Sequence, residues 1–197
     1  MNFLAHIYLS GESDELKIGN FIGDFVKASD MKNFTDSINQ GVRMHWAIDE
    51  FTDQHLVVQK SKDRLRPKYG HYAGVIVDIY YDHFLALNWK NYHPKALRTY
   101  VDEQYKMLQN NTHILPKKVV AMLPYMIKYD WLYNYQYFEG IERVMQGMAN
   151  RSNFNSKMEQ SVVELKKYHE EFEKEFQEFF PELKAFCSTF LEKKGKI

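Results

Sequence analysis

Apolar residues return every three to four positions along most of the chain, the spacing of a helix with one buried face. Residues 14–28 carry Ile18, Phe21, Ile22 and Phe25 on one stripe, and residues 34–52 carry Ile38, Val42, His45, Asp49 and Thr52. The most apolar segment is 72–90, with Val75, Ile76, Ile79, Tyr80, His83, Phe84 and Leu87 in register. Shorter helices are predicted at 95–109, 117–132 and 137–148. Residues 156–194 alternate Glu and Lys with Leu165, Tyr168, Phe172, Phe176, Phe179 and Phe180, which predicts one long amphipathic helix, broken or kinked at Pro181. No segment alternates with period two, and no repeat or Gly/Ser linker divides the chain. The reading is an all-α, single-domain helical bundle over 1–197.

Composition sharpens this. With 9 Gly and 5 Pro in 197 residues, turn formers are too few for a many-stranded sandwich or barrel. Lys and Arg number 26 and balance 26 Asp and Glu, which argues against a nucleic-acid binder. The lone Cys187 makes no intrachain disulfide and fits a buried apolar position in a cytoplasmic protein. The first ten residues make a poor signal peptide, and no apolar run is long enough to span a membrane.

Several acids keep apolar company. Asp24 lies within Gly19-Asn20-Phe21-Ile22-Gly23-Asp24-Phe25-Val26, whose glycines suggest close packing or backbone approach to something bound. Asp78 and Asp82 are one turn apart in a segment expected to be buried, where unpaired carboxylates cost several kcal/mol. A cation beside them, or a set of Arg, Lys or His partners, would account for them. His45 and Asp49 share a helix face, a common way to supply two metal ligands, and His6 adds an imidazole from another segment. Carboxylates with imidazoles suit Mn²⁺, Fe²⁺ or Zn²⁺. Each feature also has a plain structural reading: a satisfied core histidine, a surface hydrogen bond, a helix cap. His71, His93, His113 and His169 read as solvated. Lys60, Lys62, Arg64, Arg66 and Lys68 stand against a single acid, Asp63, and read as a charged turn or a landing patch for an acidic partner. The aromatics Tyr129, Trp131, Tyr133, Tyr135 and Tyr137 read first as core.

Five ordered motifs carry a family resemblance. Met1-Asn2-Phe3-Leu4-Ala5-His6, Gly19 to Lys27, His45-x-x-Ile48-Asp49-x-x-Thr52-Asp53, Asp78-x-x-x-Asp82-His83-Phe84-Leu85-Ala86 with Trp89, and Gly147-Met148-Ala149-x-Arg151 resemble the acyl carrier protein phosphodiesterases. That family is similar, distantly, to the all-helical HD-type metal-dependent phosphohydrolases. The resemblance implies removal of the 4′-phosphopantetheine arm from holo acyl carrier protein with a divalent cation, typically Mn²⁺. It implies Asp24, His45, Asp78, Asp82 and His83 as metal ligands, with Asp24 a catalytic candidate as well. His6 and Asp49 follow as further ligands, catalytic groups or groups orienting an imidazole. Lys27 and Arg151 are the candidates for offsetting phosphoryl charge, and residues 60–68 for docking the acidic carrier. The family's His-Arg pair reads His45-Trp46 here, and Gln54-His55-Leu56 stands where a proline is common. The alternatives are a related phosphohydrolase acting on a nucleotide or other small phosphoester, and a helical binding module whose acids are structural.

Overall fold

A computed structural model describes residues 1–152 and 155–194, and those residues form helices and connecting turns with no strand among them. The last residues of the expected domain, 195–197, lie outside the described residues. The helices are α1 (Phe3–Leu9), α2 (Asp14–Ile22), α3 (Asp36–Gln54), α4 (Leu56–Tyr69), α5 (Ala73–Leu87), α6 (Leu97–Asn110), α7 (Lys117–Lys128), α8 (Trp131–Asn134), α9 (Phe138–Arg151), α10 (Val162–Lys167) and α11 (His169–Lys194).

Their starts follow local chemistry. Asn2, Ser13 and Thr35 each turn a side-chain oxygen onto a free backbone N–H of α1, α2 and α3. The buried heart is α5, whose Ile76, Val77, Ile79, Tyr80, Tyr81, Phe84 and Leu85 are fully enclosed. α11 closes over it with Phe172, Phe176, Phe179 and Phe180. Tyr81 lies 5.6 Å from Phe176 and 5.5 Å from Phe179, centroid to centroid. Aromatic pairs at such distances add about 0.5–1.5 kcal/mol each beyond burial. Cys187 is buried, as expected.

α2 and α3 pack closest of all, through glycines. A Cβ on Gly19 would sit 2.0 Å from the Ile38 carbonyl oxygen, and one on Gly41 would sit 2.3 Å from that of Leu16. Backbone therefore meets backbone here, and the close approach anticipated from the glycines occurs within the protein.

Four expectations change. The expected helix 14–28 ends at Ile22, and a 3₁₀ turn, Gly23–Phe25, carries Asp24 outward. The C-terminal segment breaks at Tyr168, between α10 and α11, while α11 runs through Pro181. Pro181 and Gln177, whose carbonyl it leaves unbonded, are both on the exposed side, where water serves that oxygen. The charged stretch 60–68 is the outer part of helix α4 rather than a turn. His93 and His169 are half-buried, His93 stacking on Trp89 and His169 packing edge-on against Phe84.

Candidate metal centre and cleft

α1 and α3 bring two imidazoles face to face. The rings of His6 and His45 stack with centroids 4.0 Å apart and planes 19° from parallel. Gly23 makes room for this, since a Cβ there would lie 2.2 Å from His45 Cγ.

Asn20 fixes both rings. Its side-chain amide donates to the His6 carbonyl and to Ser10 Oγ, each at 2.9 Å, so its oxygen faces His6 Nδ1 at 2.7 Å. His6 Nδ1 must then carry the proton. His45 Nδ1 lies 2.7 Å from the Asn20 backbone carbonyl and must likewise donate. Both rings thus turn Nε2 toward one spot, and a hydrogen bond on the far nitrogen is the usual way to set a ligating tautomer.

Carboxylates meet them there. Asp49 approaches His6 Nε2 at 3.3 Å with one oxygen and His45 Nε2 at 3.2 Å with the other. Asp24 reaches His45 Nε2 at 3.2 Å from the exposed side, and the Met1 carbonyl lies 3.2 Å from His6 Nε2. Ligand atoms of His6, His45 and Asp49 fall within 4.8 Å of one another. Burial and the neighbouring His45 push His6 down to about 4. Burial alone would lower His45, but Asp24 and Asp49 hold it up to about 9. Burial alone would raise Asp49, yet the two imidazoles hold it well below the usual carboxylate range. Two imidazole Nε2 atoms and two carboxylates converge here and favour positive charge, which the protonated His45 ring supplies and which a bound cation would supply in place of that proton. A His₂-carboxylate donor set fits a divalent Mn, Fe or Zn ion.

The other expected ligands are placed differently. Asp78 is half-buried and accepts the Met1 amino group at 2.9 Å. Asp82 is fully buried and accepts three backbone N–H groups at the start of α1: Asn2 at 3.2 Å, Leu4 at 2.8 Å and Ala5 at 3.3 Å. Burial pushes its carboxyl up to about 7. His83 Nδ1 donates to the Tyr135 carbonyl at 2.7 Å, while Nε2 is buried without a partner. Asp82 and His83 therefore do not join the cluster. A cation or Arg, Lys or His side chains were foreseen beside the two α5 acids; Asp78 does face a cation, the Met1 ammonium group, whereas Asp82 is met by backbone amides.

Asp24, Asp49 and Asp78 line one end of a cleft of about 1350 Å³. Met122 and Tyr125 from α7, Tyr129 from the turn after it and Trp131 from α8 line the cleft, and α9 supplies Arg143 and Arg151. The core reading of the aromatics holds for Tyr135, whereas Tyr129 and Tyr137 are exposed. Lys27 is exposed and is not among the lining residues. A separate cavity of 430 Å³ beside Tyr8, His93 and Lys184 contains none of the cluster. Trp46 donates its indole N–H to the Gly23 carbonyl at 3.3 Å, steadying the turn that carries Asp24.

The basic patch is spent on internal pairs. Lys62 binds Asp53 at 2.6 Å, Arg64 grips Glu175 with two bonds of 2.8 Å, Arg66 binds Asp63, and Lys68 binds Glu164 at 3.0 Å. Every cation of the 60–68 stretch except Lys60 thus already faces a carboxylate of the same chain.

Asn20 and Asn2 had no expected role, and Tyr135, expected only as core, also accepts from Asn2 Nδ2 at 3.2 Å. An asparagine inside an apolar glycine-bearing helix was the available signal for Asn20.

The family model for acyl carrier protein phosphodiesterase matches residues 1–183. The chain belongs to that family. A Photorhabdus laumondii acyl carrier protein phosphodiesterase is 29% identical over 182 residues, 92% of each chain. The Klebsiella pneumoniae protein of that name is 29% identical over 187 residues, covering 93% of this chain and 95% of the relative. One from Salmonella agona is 28% identical over 186 residues. No solved structure matches. All five motifs of the resemblance fall within the stretch that the family model covers.

Proposed function

We propose that this protein hydrolyses the phosphodiester joining 4′-phosphopantetheine to the serine of holo acyl carrier protein, releasing apo carrier. Membership of the family and the names of its relatives support the substrate. The observation that carries the chemistry is the convergence of His6 Nε2, His45 Nε2 and Asp49 on one point at the end of a large cleft.

In this reading His6, His45 and Asp49 hold the divalent cation, Mn²⁺ by family resemblance, and Asp24 borders it on the open side. Such an ion supplies Lewis acidity to the phosphoryl group and to water. Asn20 keeps both imidazoles in the tautomer that presents Nε2. Asp24, the most exposed carboxylate of the group, orients water or accepts its proton. Asp78 anchors the Met1 amino group at the cleft wall. Asp82 and His83 act as scaffold: one anchors the start of α1, from which His6 projects, and the other holds the end of α8. The apolar wall of α7 and α8 shelters the pantetheine arm from water.

The chain works as one domain with a distant likeness to the HD-type phosphohydrolases. No described helix is long and apolar enough to cross a membrane, and a single buried cysteine suits the cytoplasm.

Mass spectrometry of holo carrier tests this, run with Mn²⁺, with excess chelator, and with Asp24→Ala. Loss of the phosphopantetheine mass only with metal and intact Asp24 is the expected result. An untouched carrier beside a folded, metal-loaded protein rejects the substrate, and turnover of small phosphoesters alone favours the smaller-substrate reading.

A further inference from the structure

The cleft carries opposite charge at its two sides. Asp24, Asp49 and Asp78 stand at the cluster, while Arg143 and Arg151 stand on α9. Both arginines are exposed, and neither makes an ion pair with any described residue; Arg151 Nε donates to the Gly147 carbonyl at 3.1 Å. Eight residues of helix separate them by about 12 Å along the axis, a span suited to a protein surface rather than to one phosphate group.

The contrast with α4 decides where an acidic partner is attracted. Lys62, Arg64, Arg66 and Lys68 each hold a carboxylate of this chain, so their field is largely cancelled before any partner arrives. The α9 arginines retain theirs. They also border the cleft that reaches the cluster, and the scissile bond sits on the carrier's own serine. The carrier surface around that serine must therefore come against the cleft's edge when the phosphodiester reaches the cluster.

We infer that the α9 edge of the cleft, through Arg143 and Arg151, is the docking surface for the acidic face of the carrier protein. The inference rests on the proposed activity and assigns to Arg151 a carrier contact in place of a phosphate contact. Free cations at an interface steer association and lose strength with salt.

The test is the double charge reversal Arg143→Glu/Arg151→Glu. It is assayed with Mn²⁺ on holo carrier and on bis(p-nitrophenyl) phosphate, at low and high salt. The carrier KM should rise at least about tenfold at low salt and the difference should shrink at high salt. The small diester should lose less than about threefold in kcat/KM. Lys60→Glu/Arg66→Glu, on α4, should leave the carrier KM where it was. An unmoved carrier KM in the α9 variant overturns the inference. So does a parallel loss on the small diester, which would mean that the arginines grip phosphate. Should the wild-type protein cleave no carrier, its affinity for apo carrier is measured directly. Tenfold weaker binding in the α9 variant keeps the docking surface while the activity falls. No measurable wild-type binding rejects both.

Discussion

The chain has two aspartate–histidine pairs on helices, and they meet opposite fates. His45 and Asp49 on α3 are four residues apart, share one face and point into a common site with His6. Asp82 and His83 on α5 are adjacent, so their side chains diverge by about 100° around the axis. Asp82 turns to the amides that open α1, and His83 turns to the carbonyl of Tyr135. The same two residue types join one shared cluster in one case and form two unrelated anchors in the other. What separates them is helical spacing and which neighbour supplies the partner.

The sharpest way to break this comparison is to remove one member of each pair. Asp49→Ala should abolish tight Mn²⁺ binding and lower turnover by about 1000-fold or more, with the fold retained; equilibrium dialysis and circular dichroism check this together. Asp82→Ala should act on the fold instead. It leaves three buried backbone N–H groups without an acceptor, at a cost of about 3 kcal/mol or more in urea unfolding. Metal affinity of the protein that stays folded should drop far less than in Asp49→Ala; an equal drop would return Asp82 to the ligand set.

A smaller effect comes from Gly23→Ala, whose methyl group meets the His45 ring. Metal affinity should fall about 10–100-fold, as for other losses of support around a ligand, with a melting temperature only a few degrees lower.

The smallest effect at neutral pH belongs to His83. Burial pushes its ring down to about 4, below the ordinary value of about 6.5. The unfolded chain therefore binds more protons than the folded one between these values, and this contribution to stability is lost as pH falls from about 6.5 through about 4. His83→Gln should make the acid side of the melting-temperature profile shallower. A slope identical to wild type would contradict a neutral, buried ring.

How much could be read in advance follows the same logic of partners. The helices with strong apolar stripes, α3, α5, α6 and α9, were legible within a few residues, because the stripe is what they bury. α4 was not, since its sequence is dominated by charges and part of what they pair with lies far away; Arg64 meets Glu175 across 111 positions. α1 is only seven residues long, about two turns, too short for a stripe to stand out. His6, His45 and Asp49 were each singled out from the sequence, but nothing there showed that they would meet while His83 would not. Asp82 was unreadable for a plainer reason: its partners are peptide N–H groups, which every non-proline residue has and no letter marks.

The glycine crossing of α2 and α3 has a last consequence, for reconstitution. Where backbone rests on backbone, no side chain has to reorder for Asn20, Gly23 and His45 to take their places. Structural zinc sites behave otherwise, because there the ion itself drives folding. Here a chelator should give a protein that is inactive yet intact, and adding back the ion should restore it without a refolding lag. In the proposed metal reading, the choice among divalent ions then depends on bond lengths and donor preference.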